Sequence, residues 1–138
     1  MPISVVMPIE LLMLTLSVGL LFVLILIQAS AGTSAQGLMT MANSRDNLGP
    51  MSVWQARTKR CVDNHREGLI LFAPLVLIAA QLDVHTWMTV WGAQLFFYSR
   101  VAHAVVYLAG LPMIRPLFWA VGIAGTVMIF LALFGIGA

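Results

Sequence analysis

The sequence predicts an all-α integral membrane protein, a bundle of four transmembrane helices, and three observations predict it. The first is composition: 61% of the 138 residues are hydrophobic and 9% are charged, against about 25% charged in ordinary soluble domains. A chain of this length could bury a core in water, but it lacks the polar surface to cover one. The second is that the apolar residues gather into long runs, on the scale of the ~20 residues a helix needs to cross a bilayer core about 30 Å thick. The third is that Lys and Arg collect in and just after the first connection, the asymmetry of a membrane topology. Length and composition together predict one domain over residues 1–138.

The first helix is expected over residues 8–29, with Glu10 near its start as the only charge. Ala29-Ser30-Ala31 resembles a signal-peptidase site, but no Lys or Arg precedes the run and the run exceeds a usual signal core. It is read as a retained helix. Residues 30–52 read as a polar loop holding Arg45, Asp46, Asn47 and the turn signal Gly49-Pro50. The second segment is unusual, because its apolar part, residues 68–80, is too short to span alone. Upstream, Trp54 to Glu67 is dense in charge yet free of Gly and Pro. A single helix over 52–81 is therefore expected, with a polar first half that turns Arg57, Arg60, Asn64 and Glu67 toward protein rather than lipid. The third helix is expected over 86–108 and the fourth over 114–136, with Gly110 and Pro112 marking the tight turn between them.

Orientation follows from the cations. Arg45, Arg57, Lys59, Arg60 and Arg66 lie in or after the first loop, and Arg115 lies in the third connection. The second connection, Asp83-Val84-His85, has neither Lys nor Arg. With four spans, the first loop is expected to be cytoplasmic and both termini outside. The net charge of +2, without a long basic run, gives no case for nucleic acid. The single cysteine, Cys61, excludes an intramolecular disulfide and reads as a packing residue. His65, His85 and His103 lack metal-ligand spacing; His65 reads as interfacial, and His85 belongs to the opposite side of the membrane. No metal site is expected. The four Trp lie near segment ends and suit the aromatic belt, while Gly122 and Gly125, with Ala120 and Ala124, suit close helix packing.

Residues three and four apart share a helix face. Arg57, Arg60, Asn64, Glu67 and Leu71 form such a stripe on the second helix, and Arg100, His103 and Tyr107 form another on the third. Arg115 opens the fourth helix on the same side. A charge at membrane depth costs about 2.5–3.5 kcal/mol on insertion scales, so it faces protein or a wet cavity. In one reading Glu67 neutralises Arg100 or Arg60 and holds the bundle together. In the other, four arginines face Glu67, with Asp63 and Asp46 if they turn inward, and the surplus cation takes an anionic ligand. The planar guanidinium fork suits a small polycarboxylate.

Arg60-x-x-x-Asn64-x-x-Glu67 on the second helix, Arg100-Val-Ala-His103-x-x-x-Tyr107 on the third and Arg115 opening the fourth resemble the MAPEG family. These are membrane-associated proteins in eicosanoid and glutathione metabolism. Ala42-Asn43-x-x-Asp46 also resembles the first loop of the prostaglandin E synthase branch. The resemblance runs from about Ala42 to Trp119. It implies a homotrimer of four-helix subunits that binds glutathione between neighbours near the cytoplasmic face. Asn64, Glu67, His103 and Tyr107, with Asp46, would hold the tripeptide, while Arg60 and Arg100 resemble the family's structural and carboxylate-pairing arginines. Arg115 would sit beside the thiol, where a cation and the positive end of a helix favour the thiolate. The implied partners are a second and third copy of the chain, membrane lipid, and lipophilic electrophiles that enter from the bilayer.

The departures from that pattern are specific. The synthase branch has Ser after the helix-four arginine and this chain has Pro116; several members have Tyr four residues on and this chain has Trp119. Asp63 stands where the family has an arginine before the Asn, and no basic residue ends the first helix. These changes remove a hydroxyl from the thiol and any case for a particular eicosanoid. Two functions follow: a glutathione transferase or peroxidase acting through Arg115, and a non-catalytic bundle that keeps the fold and binds a small anion. A third reading, a small four-helix exporter of cations, would want an acid deep in the first helix, whereas Glu10 lies near its end. Small size and the lack of a transit-like segment suggest a bacterial inner membrane.

Overall fold

The computed structural model describes residues 6–46 and 48–138. Among these the chain forms five helices and no strand: α1 (Ile9–Gln36), α2 (Leu38–Ala42), α3 (Val53–Gln81), α4 (Trp87–Ala109) and α5 (Arg115–Ala132). The four long helices alternate in direction. α1 packs along α3, α4 packs most closely on α5, and α4 also touches α1 and α3. By length and composition, α1 and α5 are apolar enough to cross a membrane. α3 is long enough, but its first half carries Arg57, Lys59, Arg60, Asp63, Arg66 and Glu67.

Local sequence accounts for the helix ends. Ser52 caps α3 by accepting from the Gln55 N–H at 3.0 Å, which satisfies one orphan donor of the first turn. Thr86 and Thr89 form a reciprocal capping box at the start of α4. α4 stops at Gly110, which is left-handed (φ 74°), and the Leu111 N–H closes back onto the Val106 carbonyl at 3.1 Å. α5 opens on Arg115-Pro116, where a missing N–H leaves no intrahelical bond unmade. Pro74 lies inside α3 and offers no N–H to the carbonyl of Ile70. The helix continues through it because Phe72 and Val76, 0% and 1% exposed, are packed on either side.

The core is centred on Phe72 of α3 and Phe96 of α4, whose rings stack 3.9 Å apart at 13°. Met13, Leu69, Val76, Ala93 and Ile129 close around them, so all four long helices contribute. A second cluster, Leu24, Cys61, Val62 and Ala104, lies toward the start of α3, with Tyr107 and Leu108 packed on it. Cys61 is a packing residue, 1% exposed. Outside this core α1 presents Leu12, Leu16, Phe22, Val23, Ile25 and Leu26, an apolar face of the kind that lipid accepts and water does not. α4 and α5 meet backbone to backbone: a Cβ on Gly92 would lie 2.6 Å from the Gly125 carbonyl oxygen. Gly122 and Gly125 thus serve close packing, as expected, and Gly92 joins them. Ala120 and Ala124 instead point outward.

Three expectations need correction. The loop expected over 30–52 begins later, because α1 runs on to Gln36 and α2 follows it. Ser30 to Gln36 is polar and small but holds no proline, and Ala31 and Gly32 are buried, Gly32 beside Met41 and Gln55. The helix stops only where Gly37 takes φ 90°. α5 ends at Ala132, four residues before the expected 136, where the left-handed Gly135 and Gly137 turn the chain. Finally, the stripe expected to face protein on α3 is not the buried one. Gln55, Thr58, Cys61, Val62, His65, Leu69, Phe72 and Val76 face inward, whereas Arg60 and Glu67 are exposed.

Candidate functional site

Tyr107, in the last turn of α4, is the centre of the arginine-rich end. Its hydroxyl accepts from Nε of Arg60 at 2.8 Å, across from the start of α3. Its ring lies under the guanidinium of Arg115, with Cζ 4.7 Å from the ring centroid, within the range of a cation–π contact. Tyr107 is fixed there because its body packs on the Leu24–Cys61–Val62–Ala104 cluster. The His103 ring, one turn earlier on α4, lies 5.6 Å from the Tyr107 ring. Helix spacing of four explains that contact.

Two cavities adjoin this tyrosine. One, of about 320 Å³, is lined by Asn64, His103, Tyr107, Arg115, Pro116 and Trp119. The other, of about 250 Å³, is lined by Arg57, Arg60, Tyr107, Arg115 and the Gly110–Met113 turn. Tyr107 and Arg115 belong to both, so together they form the wall between them. Gly110 is required here twice over. Its φ of 74° suits glycine, and a Cβ would lie 2.8 Å from the Arg57 guanidinium carbon.

Deeper in the bundle, about 10 Å along α4 from Tyr107 by helix rise, Arg100 is 3% exposed. Its Nη2 donates to Asn64 Oδ1 at 2.6 Å and its Nε points at His65 Nδ1 at 3.4 Å. His65 Nε2 lies 2.8 Å from the carbonyl of Ser17 on α1. Both His65 contacts are satisfied only by the neutral imidazole with its proton on Nε2, donating to Ser17 and accepting from Arg100. This relay ties α1, α3 and α4 together and fixes the Asn64 side chain, which lines the larger cavity. Gly122 of α5 packs closely on α4 beside it, since a Cβ there would lie 2.9 Å from Ser99 Oγ.

The residues expected to form the site are thus only partly assembled in one chain. Arg60, Asn64, Arg100, His103, Tyr107 and Arg115 converge on one end of the bundle. Glu67 lies on the same α3 face but is exposed and makes no ion pair among the described residues. Asp63 turns outward to Lys59 (2.9 Å) and Arg66 (2.8 Å). Asp46 lies apart, in a shallow pocket with Thr40, Asn43, Ser44 and Arg45. Asn47 lies outside the described residues.

Sequence reasoning missed His65, which is buried at 1% rather than interfacial. The signal was present. Stepping back from Phe72 and Leu69 by three and four residues reaches His65, Cys61 and Thr58, so the apolar face continues upward through them. Pro116 and Trp119, which stand out as departures from the family pattern, line the larger cavity itself.

The model of the MAPEG family matches residues 11–135 of the 138-residue chain. Neither the curated proteins nor the solved structures provide a match.

Proposed function

The chain belongs to the MAPEG family, and from that premise we propose that it is a glutathione-binding membrane protein, a glutathione transferase or peroxidase for lipophilic electrophiles. The observation that carries this reading is Tyr107 held between Arg60 and Arg115 at the wall of two cavities. Glutathione brings two carboxylates, an ammonium and a thiol. Arg60 and Arg100 offer guanidinium groups for carboxylates, Asn64 and His103 offer hydrogen bonds, and the exposed Glu67 offers a partner for the ammonium. Arg115 stands at the first position of α5, where no side chain caps the helix. Its charge and the helix N-terminus together favour a thiolate over a thiol. The thiolate then attacks an electrophilic carbon, forming the C–S bond as the leaving group departs, or attacks a peroxide oxygen. In the second case the O–O bond breaks to give the glutathione sulfenic acid and, after protonation, an alcohol, and a second glutathione then converts the sulfenic acid to glutathione disulfide and water.

The trimer, the four-span topology and the cytoplasmic placement of this end belong to the same proposal. A subunit by itself leaves Arg60 and Glu67 exposed on a helix that enters the membrane, a costly arrangement that a neighbouring subunit would relieve. In a homotrimer that stripe would face the next copy, and Asp46 could reach a site on its neighbour. The basic residues in the first half of α3 and Arg115 at the start of α5 would keep this end on the cytoplasmic side, in a bacterial inner membrane. Apolar co-substrates and membrane lipid would meet the site from the bilayer.

A second reading is favoured by Pro116 and Trp119. In the larger cavity they supply no hydroxyl, leaving Tyr107 as the one hydroxyl among its lining residues. On that reading the protein binds glutathione or another small anion without activating it. Calorimetry with purified protein in detergent separates the outcomes. Saturable glutathione binding that weakens in Arg100→Ala supports the family ligand. Absence of binding at millimolar glutathione overturns it and leaves the cationic site to a different anion.

A further inference from the structure

The opposite end of the bundle holds a separate cleft of about 440 Å³ between the start of α1 and the end of α3. Most of its wall is apolar: Val6, Pro8, Leu11, Val76, Ala79, Ala80 and Val84. Three polar residues join them, Glu10, Asp83 and His85, and neither Lys nor Arg lines the cleft. Glu10 is 6% exposed. Its Oε1 takes both of its contacts, His85 Nδ1 at 2.8 Å and Thr89 Oγ1 at 3.1 Å. Oε2 makes no hydrogen bond among the described residues, and it is not sealed off, since no buried side-chain oxygen there lacks a partner. A carboxylate oriented on one side and open on the other, in an apolar wall, is arranged for a donor that arrives from the cleft.

We propose that this cleft binds a small organic cation with an apolar body, such as a protonated primary amine bearing a short alkyl or aryl group. Charge complementarity sets the sign, because Glu10 and Asp83 are the charged side chains in the lining and both are acidic. The apolar wall sets the body, since a hydrated inorganic ion gains nothing from Val76, Ala79 and Leu11. Metal chelation is a poorer match, as no cluster of three His, Cys, Asp or Glu residues with that capacity is found among the described residues. The ammonium would sit on Glu10 Oε2, with Asp83 at the rim drawing it in. Asp83 takes φ 55° just after α3, so the turn holds the second carboxylate at the cleft. The exposed Leu82 beside it continues the apolar surface outward, a path for an amphiphile from the membrane interface. The site is independent of the arginine end and does not rest on the glutathione reading.

The test uses full-length protein in nanodiscs of phosphatidylcholine, which has no primary amine. The probes are 4-fluorobenzylammonium and its neutral counterpart, 4-fluorobenzyl alcohol, followed by fluorine NMR line broadening. The alcohol controls for partition into the bilayer. Saturable broadening of the ammonium alone is expected, with affinity at least about tenfold weaker in Glu10→Gln, the scale of one charge-assisted hydrogen bond. Should Glu10→Gln fail to fold, Asp83→Asn serves instead, because Asn tolerates a left-handed φ; it should weaken binding a few-fold. Arg115→Ala should leave the affinity unchanged. Equal broadening of ammonium and alcohol, or insensitivity to both acidic substitutions, overturns the proposal. So does an ammonium that fails to bind in phosphatidylcholine while primary-amine lipid added to the nanodiscs protects the cleft, since the occupant would then be a lipid headgroup.

Discussion

At one end of the bundle Tyr107 lies between the guanidinium groups of Arg60 and Arg115; at the other, about 27 Å along α4 by helix rise, Glu10 is held by His85 and Thr89. The ends share a scaffold, since α1, α3 and α4 contribute to both and the Phe72–Phe96 stack lies between them. They differ in how charge is balanced. Glu10 is matched locally by an imidazole and a hydroxyl, and its helix has little else to satisfy. The arginine end carries Arg57, Arg60, Arg100 and Arg115 with no ion pair to any of them among the described residues. Within the chain their partners are neutral: Asn64 and His65 for Arg100, and Tyr107 for Arg60 and Arg115. The comparison teaches that the first end leaves its cations without an acidic partner among the described residues, whereas Glu10 at the second takes both of its hydrogen bonds on Oε1 and leaves Oε2 open to the cleft.

Substitutions can break this contrast. The largest effect is expected for Arg115→Ala, which should lower glutathione turnover about 100-fold, the usual scale for removing one stabilising donor, while binding by calorimetry changes little. Next, His65→Phe should cost about 2 kcal/mol in thermal unfolding, because it leaves the Ser17 carbonyl and one Arg100 N–H without partners in the interior. Tyr107→Phe removes the acceptor for Arg60 and should weaken glutathione binding roughly fivefold, about 1 kcal/mol. The smallest effect on this end should come from Glu10→Gln. Its partner His85 is 64% exposed, so the loss in stability should stay within about 1 kcal/mol, and glutathione affinity should not move. If Glu10→Gln does change that affinity, the two ends are coupled and the contrast between them fails.

Much of this was legible in the sequence. The unbroken run from Trp54 to Glu67 required a helix that continues into residues 68–80, and α3 spans both. Gly110 announced the end of α4. The ordered polar residues of α3, α4 and α5 pointed to a single end, and Arg60, Asn64, Arg100, His103, Tyr107 and Arg115 meet there. What was not legible has physical reasons. On α3 a polar stripe and a mixed stripe lie side by side at helical spacing, and which one faces inward depends on partners from α1 and α4. Ser17 offers His65 a backbone carbonyl, which no side-chain pattern reveals. Composition also marks Ser30 to Gln36 as loop, yet a helix needs a stop, and the first one is Gly37. Glu10 and His85 are 75 positions apart, and their pairing depends on where α1 starts relative to the end of α3.

The central claim is that the arginine end binds glutathione and holds its sulfur as a thiolate beside Arg115. Ultraviolet difference absorbance of glutathione bound to the purified protein tests it most directly, wild type against Arg115→Ala at matched occupancy. The account predicts a thiolate band in the wild type that disappears in the variant while the tripeptide stays bound. Glutathione bound without that band in the wild type, or a band untouched by the substitution, would contradict it.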